Sequence, residues 1–410
     1  MKRSLIVQKY GGSSVADVDK IKNVAKRVMK AESNGYDVVV VVSALGDTTD
    51  ELISLALKIT DSPAERELDM LISTGEQVSC ALLAMAIHKL GGDAISFTGA
   101  QVGIKTDDSF TKARIIDINA GRIEDALKKR KIVIVAGFQG ADLNDNITTL
   151  GRGGSNLTAV ALAKVLGAEV CEMNTDVEGV FTADPRIVRD ARKIDRISYE
   201  EMFELASLGA QVLQPRSIEF AMKFGVPIHV RSSFSGKQGT IISKEVRAME
   251  NIVVSGVAIN RDEAKVTICD VPDKPGIAAK IFREIAKEDI NVDMIVQNVS
   301  RTGATDVSFT VQSGDLGKTI KKAKDISKKV SAGDVTFDKD IAKVSIVGIG
   351  MRSHSGIAAK MFEALAENGI NIEMISTSEI KISCVVNKKY GQEAVRAIHS
   401  KFDLGRKTKR

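Results

Sequence analysis

The sequence predicts an α/β chain, with a mostly parallel sheet between helix layers in its first part and two small α+β modules after it. Three features carry this expectation. Valine-rich runs alternate with amphipathic helical spacing, glycine turns follow the runs directly, and a twenty-residue segment recurs at an offset of eighty.

Residues 4–9 read as a buried strand that runs into Gly11, Gly12, Ser13 and Ser14, followed by Val18, Ile21, Val24, Ala25 and Val28 at helical spacing. Strand, glycine turn and helix make a cradle for an anion, with Lys9 at its mouth. Residues 37–43 form an unbroken valine run that ends in Ala44, Leu45 and Gly46 and leads to the apolar face Leu52, Leu55, Ala56 and Ile59. Residues 131–138, 169–174 and 226–232 read as further strands, and runs of this kind belong to a sheet covered on both faces. The third turn, residues 151–158, joins Gly151, Arg152, Gly153, Gly154 and Ser155 to an apolar helix at 159–166. Exposed N–H groups, a helix N-terminus and an arginine suit a carboxylate or a phosphate, although Gly-Gly-Ser also serves as an ordinary loop. Ligands in such sheets gather at the carboxyl ends of the strands.

At 410 residues the chain is long enough for two or three domains, and 44% hydrophobic with 27% charged residues is a globular composition. The net charge of +5 includes Arg406, Lys407, Lys409 and Arg410 at the very end, which read as a solvated tail. Aromatics make up 4% and do not interleave with basic clusters, so no nucleic-acid surface is expected. Cys80, Cys171, Cys269 and Cys384 lie far apart in apolar surroundings, and His88, His229, His354 and His399 are scattered, so no metal site is expected. Without a signal peptide or an apolar run near eighteen residues, a cytoplasmic protein without membrane association is expected.

The pattern changes near residue 245. Residues 244–251 are charged and read as a linker or connecting helix. Beyond them, the segment starting at Gly276 aligns without gaps on the one starting at Gly356, which favours duplication. In each copy a strand (264–270; 342–348) passes through the glycine loop into a helix, and then to a strand containing Met294 or Met374. Each loop could hold a small ligand or be a plain structural turn.

Lys9-Tyr10-Gly11-Gly12-Ser13-Ser14, Ser43-Ala44-Leu45-Gly46, Ser73-Thr74-Gly75-Glu76, the turn at 151–155 and residues 175–186 occur in this order ahead of the repeat. With these motifs the chain resembles the aspartate kinases of the single-function type. The resemblance implies an amino-acid-kinase fold for residues 1–245 and a regulatory region, 246–410, with ACT modules near 264–335 and 342–400, the second borrowing a strand from 252–259. It implies ATP-dependent phosphorylation of the L-aspartate side-chain carboxylate, the first step of the aspartate-family amino-acid pathway, with Mg²⁺ bridging the phosphates. By the same likeness Lys9, Arg152 and Asn156 stand at catalytic positions. Ser43, Glu76, Arg152, Gly153, Gly154 and Ser155 would hold aspartate. Lys9, Gly11, Gly12, Ser13, Thr175, Asp176, Phe181, Asp184 and Arg186 would hold the nucleotide. Lysine and/or threonine would bind at Asp273, Lys274, Pro275, Gly276 and Ile277, with Gln297 and Asn298 nearby, and the ACT modules would pair the chain into a homodimer or higher oligomer.

The chain departs from the family pattern in places. Asn156 stands where the glycine turn usually continues with aspartate, Gln211 and Gln214 replace a lysine and a histidine, and Asn174 replaces a common tyrosine. Losing the pair at 156 and 211 removes one negative and one positive charge together. Two outcomes follow: an active kinase, or an impaired relative that serves as an effector-binding or partner subunit. A dinucleotide-dependent dehydrogenase is excluded, because no Gly-x-Gly-x-x-Gly follows the first strand.

Overall fold

The structure, a computed structural model, describes residues 3–210, 212–244, 253–298 and 303–405. These residues form two compact units. The first holds residues 3–180, 193–207 and 212–244, and the second holds Phe181–Arg192, Leu208–Ala210 and 253–405.

The first unit opens with β1 (Leu5–Tyr10), α1 (Val18–Ser33), β2 (Asp37–Val42) and α2 (Thr48–Ile59). Asp17 caps α1 by accepting the Lys20 N–H at 2.8 Å, and Ile21, Val24, Ala25 and Val28 bury the expected face. Then come α3 (Glu65–Ile72), α4 (Thr74–Lys89), β3 (Ala94–Phe97), β4 (Ile104–Thr106), β5 (Ile115–Ile118) and α5 (Gly121–Lys128). They are followed by β6 (Ile132–Ala136), β7 (Gln139–Ala141), β8 (Ile147–Thr149), α6 (Gly154–Leu166) and β9 (Val170–Thr175). The unit closes with β10 (Arg196–Ser198), α7 (Tyr199–Ser207), α8 (Pro215–Phe224), β11 (Ile228–Ser232) and β12 (Thr240–Ser243).

Its main sheet has the order β10-β12-β11-β9-β1-β2-β6-β3, and every pairing is parallel except β11 with β12. Val38, Val40 and Val42 pack with Val24, Val28, Leu83 and Ile87 of α1 and α4, while α6 lies over β1, β2 and β9. That is why these strands are apolar on both faces. A small sheet, β5-β4-β7-β8, was not expected from the sequence, because strands of three or four residues leave no periodic trace. The predicted apolar face of α2 packs on α3 rather than on the sheet, leaving Leu55 and Ile59 52% and 87% exposed. The stretch Glu65–Lys89 is long and apolar enough by composition to cross a membrane, contrary to the sequence expectation, but half of it is buried inside the protein like a core helix.

The second unit contains β13 (Gly256–Asn260), β14 (Glu263–Pro272), α9 (Ile277–Ala286), β15 (Val292–Gln297), β16 (Ala304–Gln312), α10 (Leu316–Val330) and β17 (Val335–Asp338). After these come β18 (Ile341–Val347), α11 (Ile357–Glu367), β19 (Met374–Thr377), β20 (Lys381–Asn387) and α12 (Gly391–Lys401). Its sheets are β15-β16-β14-β17 and β13-β18-β20-β19, both antiparallel. β13, from ahead of the first module, therefore takes the edge of the second that β17 takes in the first. Lys265 joins the modules by an ion pair to Glu373 at 2.5 Å, and buried Lys343 lies between Glu263 and Asp293. The predicted connection at 244–251 falls outside the described residues apart from Lys244. All four cysteines are unpaired.

Candidate active site

Because β9, β1, β2 and β6 are parallel neighbours, Thr175, Tyr10, Val42 and Ala136 end along one edge of the sheet. Backbone bonds stitch the loops leaving that edge. Gly11 donates to the Asn174 carbonyl at 3.3 Å, Ser43 to Tyr10 at 3.1 Å, Gly46 to Gly12 at 3.2 Å, and Gly137 to Val42 at 3.0 Å. Gly12 has no room for a side chain, since a Cβ there would lie 3.0 Å from the Gly46 carbonyl oxygen. The first and second glycine turns are thus packed against each other, with Ser13 exposed and Ser14 buried between them and β11.

Lys9 is partly buried at the end of β1. Burial lowers its pKa to about 8, with the Cys171 thiol and the Asp176 carboxylate pulling it back up. Asp176 accepts the Thr175 hydroxyl at 3.0 Å at the end of β9. Behind these groups stands Arg27 of α1, which the sequence did not single out. It donates to the carbonyls of Ser233 and Ser235 at 3.2 and 3.1 Å and to Asn174 Oδ1 at 3.5 Å. Asn174, where the family often has tyrosine, here receives this arginine.

Glu76 lies in the first turn of α4 and is 3% exposed. Gly75 lets the helix approach β2 closely, because a Cβ there would meet the Ala44 side chain at 2.8 Å. The Ala44 N–H consequently donates to Glu76 Oε1 at 3.1 Å. Oε2 is buried with no hydrogen-bond partner, and burial raises the carboxyl pKa to about 7. An orphaned carboxylate oxygen beside a glycine turn has the chemistry to receive an ammonium group.

The third turn differs from the expectation. Helix α6 begins at Gly154, not near 159, so Ser155, Asn156, Leu157 and Thr158 form its first turn. Gly151 and Gly153 take left-handed conformations (φ 75° and 76°) that let the chain enter the helix sharply. Ser155 packs on Gly137, where an added Cβ would lie 2.8 Å from its hydroxyl, and Asn156 is buried beside it. Thr158, the last residue of the turn motif, accepts the Phe138 N–H at 3.2 Å. Arg152 is exposed on the loop. The structure gives no bond between Arg152 and Lys9. Gln214 covers Gly153, and Gln211 lies outside the described residues.

Phe181, Asp184 and Arg186 belong to the second unit, where Arg186 is ion-paired with Asp184 at 2.8 Å. Their segment is anchored there by Thr182, whose carbonyl accepts the Val257 N–H at 2.8 Å and whose hydroxyl lies 3.0 Å from His399 Nε2. In the first module, Asp273, Lys274 and Pro275 lead to Gly276 (φ 89°), which precedes Ile277 at the start of α9, while Gln297 ends β15 and the Asn298 carbonyl accepts the Thr305 hydroxyl. A cavity of about 470 Å³ lies at the matching loop of the second module, lined by Arg352, His354, Gly356, Thr377 and Glu379. No group of three or more His, Cys, Asp or Glu suited to a metal occurs among the described residues.

Residues 4–232 match the amino acid kinase family, and residues 265–328 and 344–402 each match the ACT domain. The chain is 53% identical to an aspartate kinase of Stutzerimonas stutzeri over 98% of both chains, and 51% identical to an aspartokinase of Mycolicibacterium smegmatis over 98% of this chain and 97% of that one. Among solved structures it is similar to E. coli aspartokinase III in complex with aspartate and ADP, with a TM-score of 0.81 at 25% identity, covering 97% of this chain and 99% of that one. A second structure of that protein holds lysine and aspartate, and matches with a TM-score of 0.75. By sequence and by fold, the chain belongs to the aspartate kinase family.

Proposed function

We propose that the protein transfers the γ-phosphoryl group of ATP to the side-chain carboxylate of L-aspartate, giving 4-phospho-L-aspartate and ADP under feedback control by end-product amino acids. The observation that carries this most is Glu76, whose buried Oε2 lacks a partner beside the turn at Ala44 that follows β2. Glu76 takes the α-ammonium group of aspartate, and Arg152 takes a carboxylate. The acceptor carboxylate has an ordinary pKa of about 3.9, so it attacks phosphorus without a general base. Its oxygen forms the new P–O bond as the bond to the departing ADP oxygen breaks. The protein's part is to align two anions and offset their charge.

Lys9 and the N–H groups of Gly12 and Ser13 face the phosphates, with Gly11 held to the Asn174 carbonyl at the base of the turn, and Thr175 with Asp176 bound the nucleotide side; Phe181, Asp184 and Arg186 are assigned to the nucleotide by family likeness alone. Mg²⁺ neutralises charge on the phosphates when bound. Among the described residues no acidic cluster stands ready to cage it, and the ion would be held chiefly by the nucleotide, as is usual for this cation. Lysine or threonine binds the ACT loops, including Asp273 to Ile277, and the modules pair two chains. The aspartokinase III complex with lysine supports an effector of this class. The unpaired cysteines suit the cytoplasm. The relatives favour an active kinase over an impaired subunit.

The test is to trap the acyl phosphate with hydroxylamine in the presence of ATP, Mg²⁺ and aspartate. Hydroxamate that depends on all three is the expected product. Background levels while aspartate still binds would overturn the proposal.

A further inference from the structure

We infer that Asp69 and Arg216 are positioning residues for the amino-acid substrate, together holding the Arg152 loop in register with the helix that carries Glu76. This rests on the reading that Glu76 and Arg152 grip aspartate. Asp69, in α3, is 0% exposed. Its Oδ2 accepts the N–H groups of Thr111 at 2.9 Å and Thr149 at 2.8 Å, and its Oδ1 accepts the Thr149 hydroxyl at 2.6 Å. All of these donors are uncharged. A carboxylate so placed is tolerable only while every donor stays aimed at it, which makes the contact rigid.

Arg216, at the start of α8, grips the same pair of segments. Its Nη1 donates to the Leu150 carbonyl at 2.7 Å and its Nη2 to the Ala113 carbonyl at 2.8 Å. Between them the Ala113 N–H donates to the Thr149 carbonyl at 2.9 Å. Thr149 and Leu150 are therefore fixed immediately before Gly151, whose left-handed turn leads to Arg152. At the other end, α3 is separated from α4 by Ser73 alone, and Gln139 Nε2 donates to the Ser73 carbonyl at 2.8 Å. A continuous strut thus runs from the Glu76 helix through Asp69 to the Arg152 loop. Aspartate is short, so the two groups holding its ends must keep their separation, and an error near 1 Å costs about a hundredfold in rate. Lys9 and the first glycine turn lie outside this strut.

The experiment compares Asp69→Ala, Asp69→Asn and Arg216→Lys with the wild-type full chain, measuring KM for aspartate and for ATP, kcat and thermal midpoint. Glu76→Gln serves as the reference for the site. Asp69→Ala is expected to raise KM for aspartate about tenfold or more while KM for ATP stays within about twofold. Asp69→Asn should recover much of the loss, because its carbonyl can take both N–H groups and its NH₂ can donate to the Thr149 hydroxyl. Arg216→Lys reaches one carbonyl only and should show the same split, more weakly. If Asp69→Ala does not fold, the other two variants decide. Equal changes for both substrates, or a lowered midpoint with KM for aspartate unchanged, overturn the inference. An unchanged KM in Glu76→Gln removes the site reading and the inference with it; a raised KM there with Asp69 and Arg216 variants at the wild-type level removes the inference alone.

Discussion

The hydroxyls of Ser14 and Ser233, 219 residues apart in the sequence, share a buried hydrogen bond of 2.6 Å. It ties the first glycine turn to the loop leaving β11, and Arg27 holds that loop from behind through the Ser233 and Ser235 carbonyls. Ser233 also donates its N–H to the Thr175 carbonyl at 2.7 Å. The first glycine turn and the end of β9, both assigned to the nucleotide, are therefore tied to the β11 loop that this guanidinium holds.

Replacing that guanidinium should loosen the nucleotide side selectively. Hydrogen bonds from a charged donor contribute about 1.5–3 kcal/mol, so Arg27→Gln is expected to raise KM for ATP about tenfold. KM for aspartate should change little. Arg27→Lys, with one compact charge, should fall between the two. Steady-state kinetics with each substrate varied in turn checks this, and equal shifts in both KM values count against it.

Two titrations should limit the pH profile from opposite sides. Glu76, raised to about 7 by burial, must be ionised to hold the ammonium group, so kcat/KM for aspartate should fall as pH drops through about 7. Lys9, lowered to about 8, must be protonated to face phosphates, so kcat/KM for ATP should fall as pH rises through about 8. Glu76→Gln should weaken aspartate binding and flatten the acid limb. Lys9→Arg should push the alkaline limb beyond the accessible range, since arginine stays charged. Profiles in which both variants keep the wild-type limbs would assign the titrations elsewhere.

Much of this frame could be read from the sequence because its signals are local. Strand, glycine turn and helix stand next to each other at Lys9 to Val28, and the copies at Gly276 and Gly356 agree at eleven of twenty aligned positions. What escaped notice acts over distance. Asp69 meets Thr149 eighty residues away and Arg216 meets Ala113 at a separation of 103, so no spacing rule could pair them. The strand expected at 131–138 stops at Ala136 because Gly137 must pass Ser155 closely and Phe138 turns left-handed (φ 69°). That bend is set by α6, whose start at Gly154 was hidden by glycines that usually mark loops.

Gly137 therefore offers a direct probe of the close packing between β6 and α6. A Cβ at this position would lie 2.8 Å from the Ser155 Cβ and hydroxyl and 2.9 Å from Val41, and none of these atoms is the far end of a flexible chain. Overpacking of this kind costs about 1–3 kcal/mol. Gly137→Ala is expected to lower the denaturation midpoint and, by displacing Ser155, to raise KM for aspartate. Denaturant titration beside kinetics separates the two effects; an unaltered midpoint would show that the helix can retreat without loss.

Asn156 raises the sharpest question about rate. It is buried in the first turn of α6, the helix that packs over the strand bearing Lys9. By family likeness an aspartate would stand there and a lysine at 211, which lies outside the described residues; we propose that losing both keeps charge balanced but leaves the migrating phosphoryl group with one cation fewer. Preorganised donors of this sort contribute on the order of 3 kcal/mol, roughly a hundredfold in kcat. Asn156→Asp alone places a carboxylate without its cation, and Gln211→Lys alone places a cation without its anchor. Each single variant is therefore expected to gain little or to lose activity, while the double variant gains well beyond their product. A double-mutant cycle on kcat measures that coupling. Additive effects would mean that the two positions changed independently and that Lys9, Mg²⁺ and the backbone donors already supply what the reaction requires.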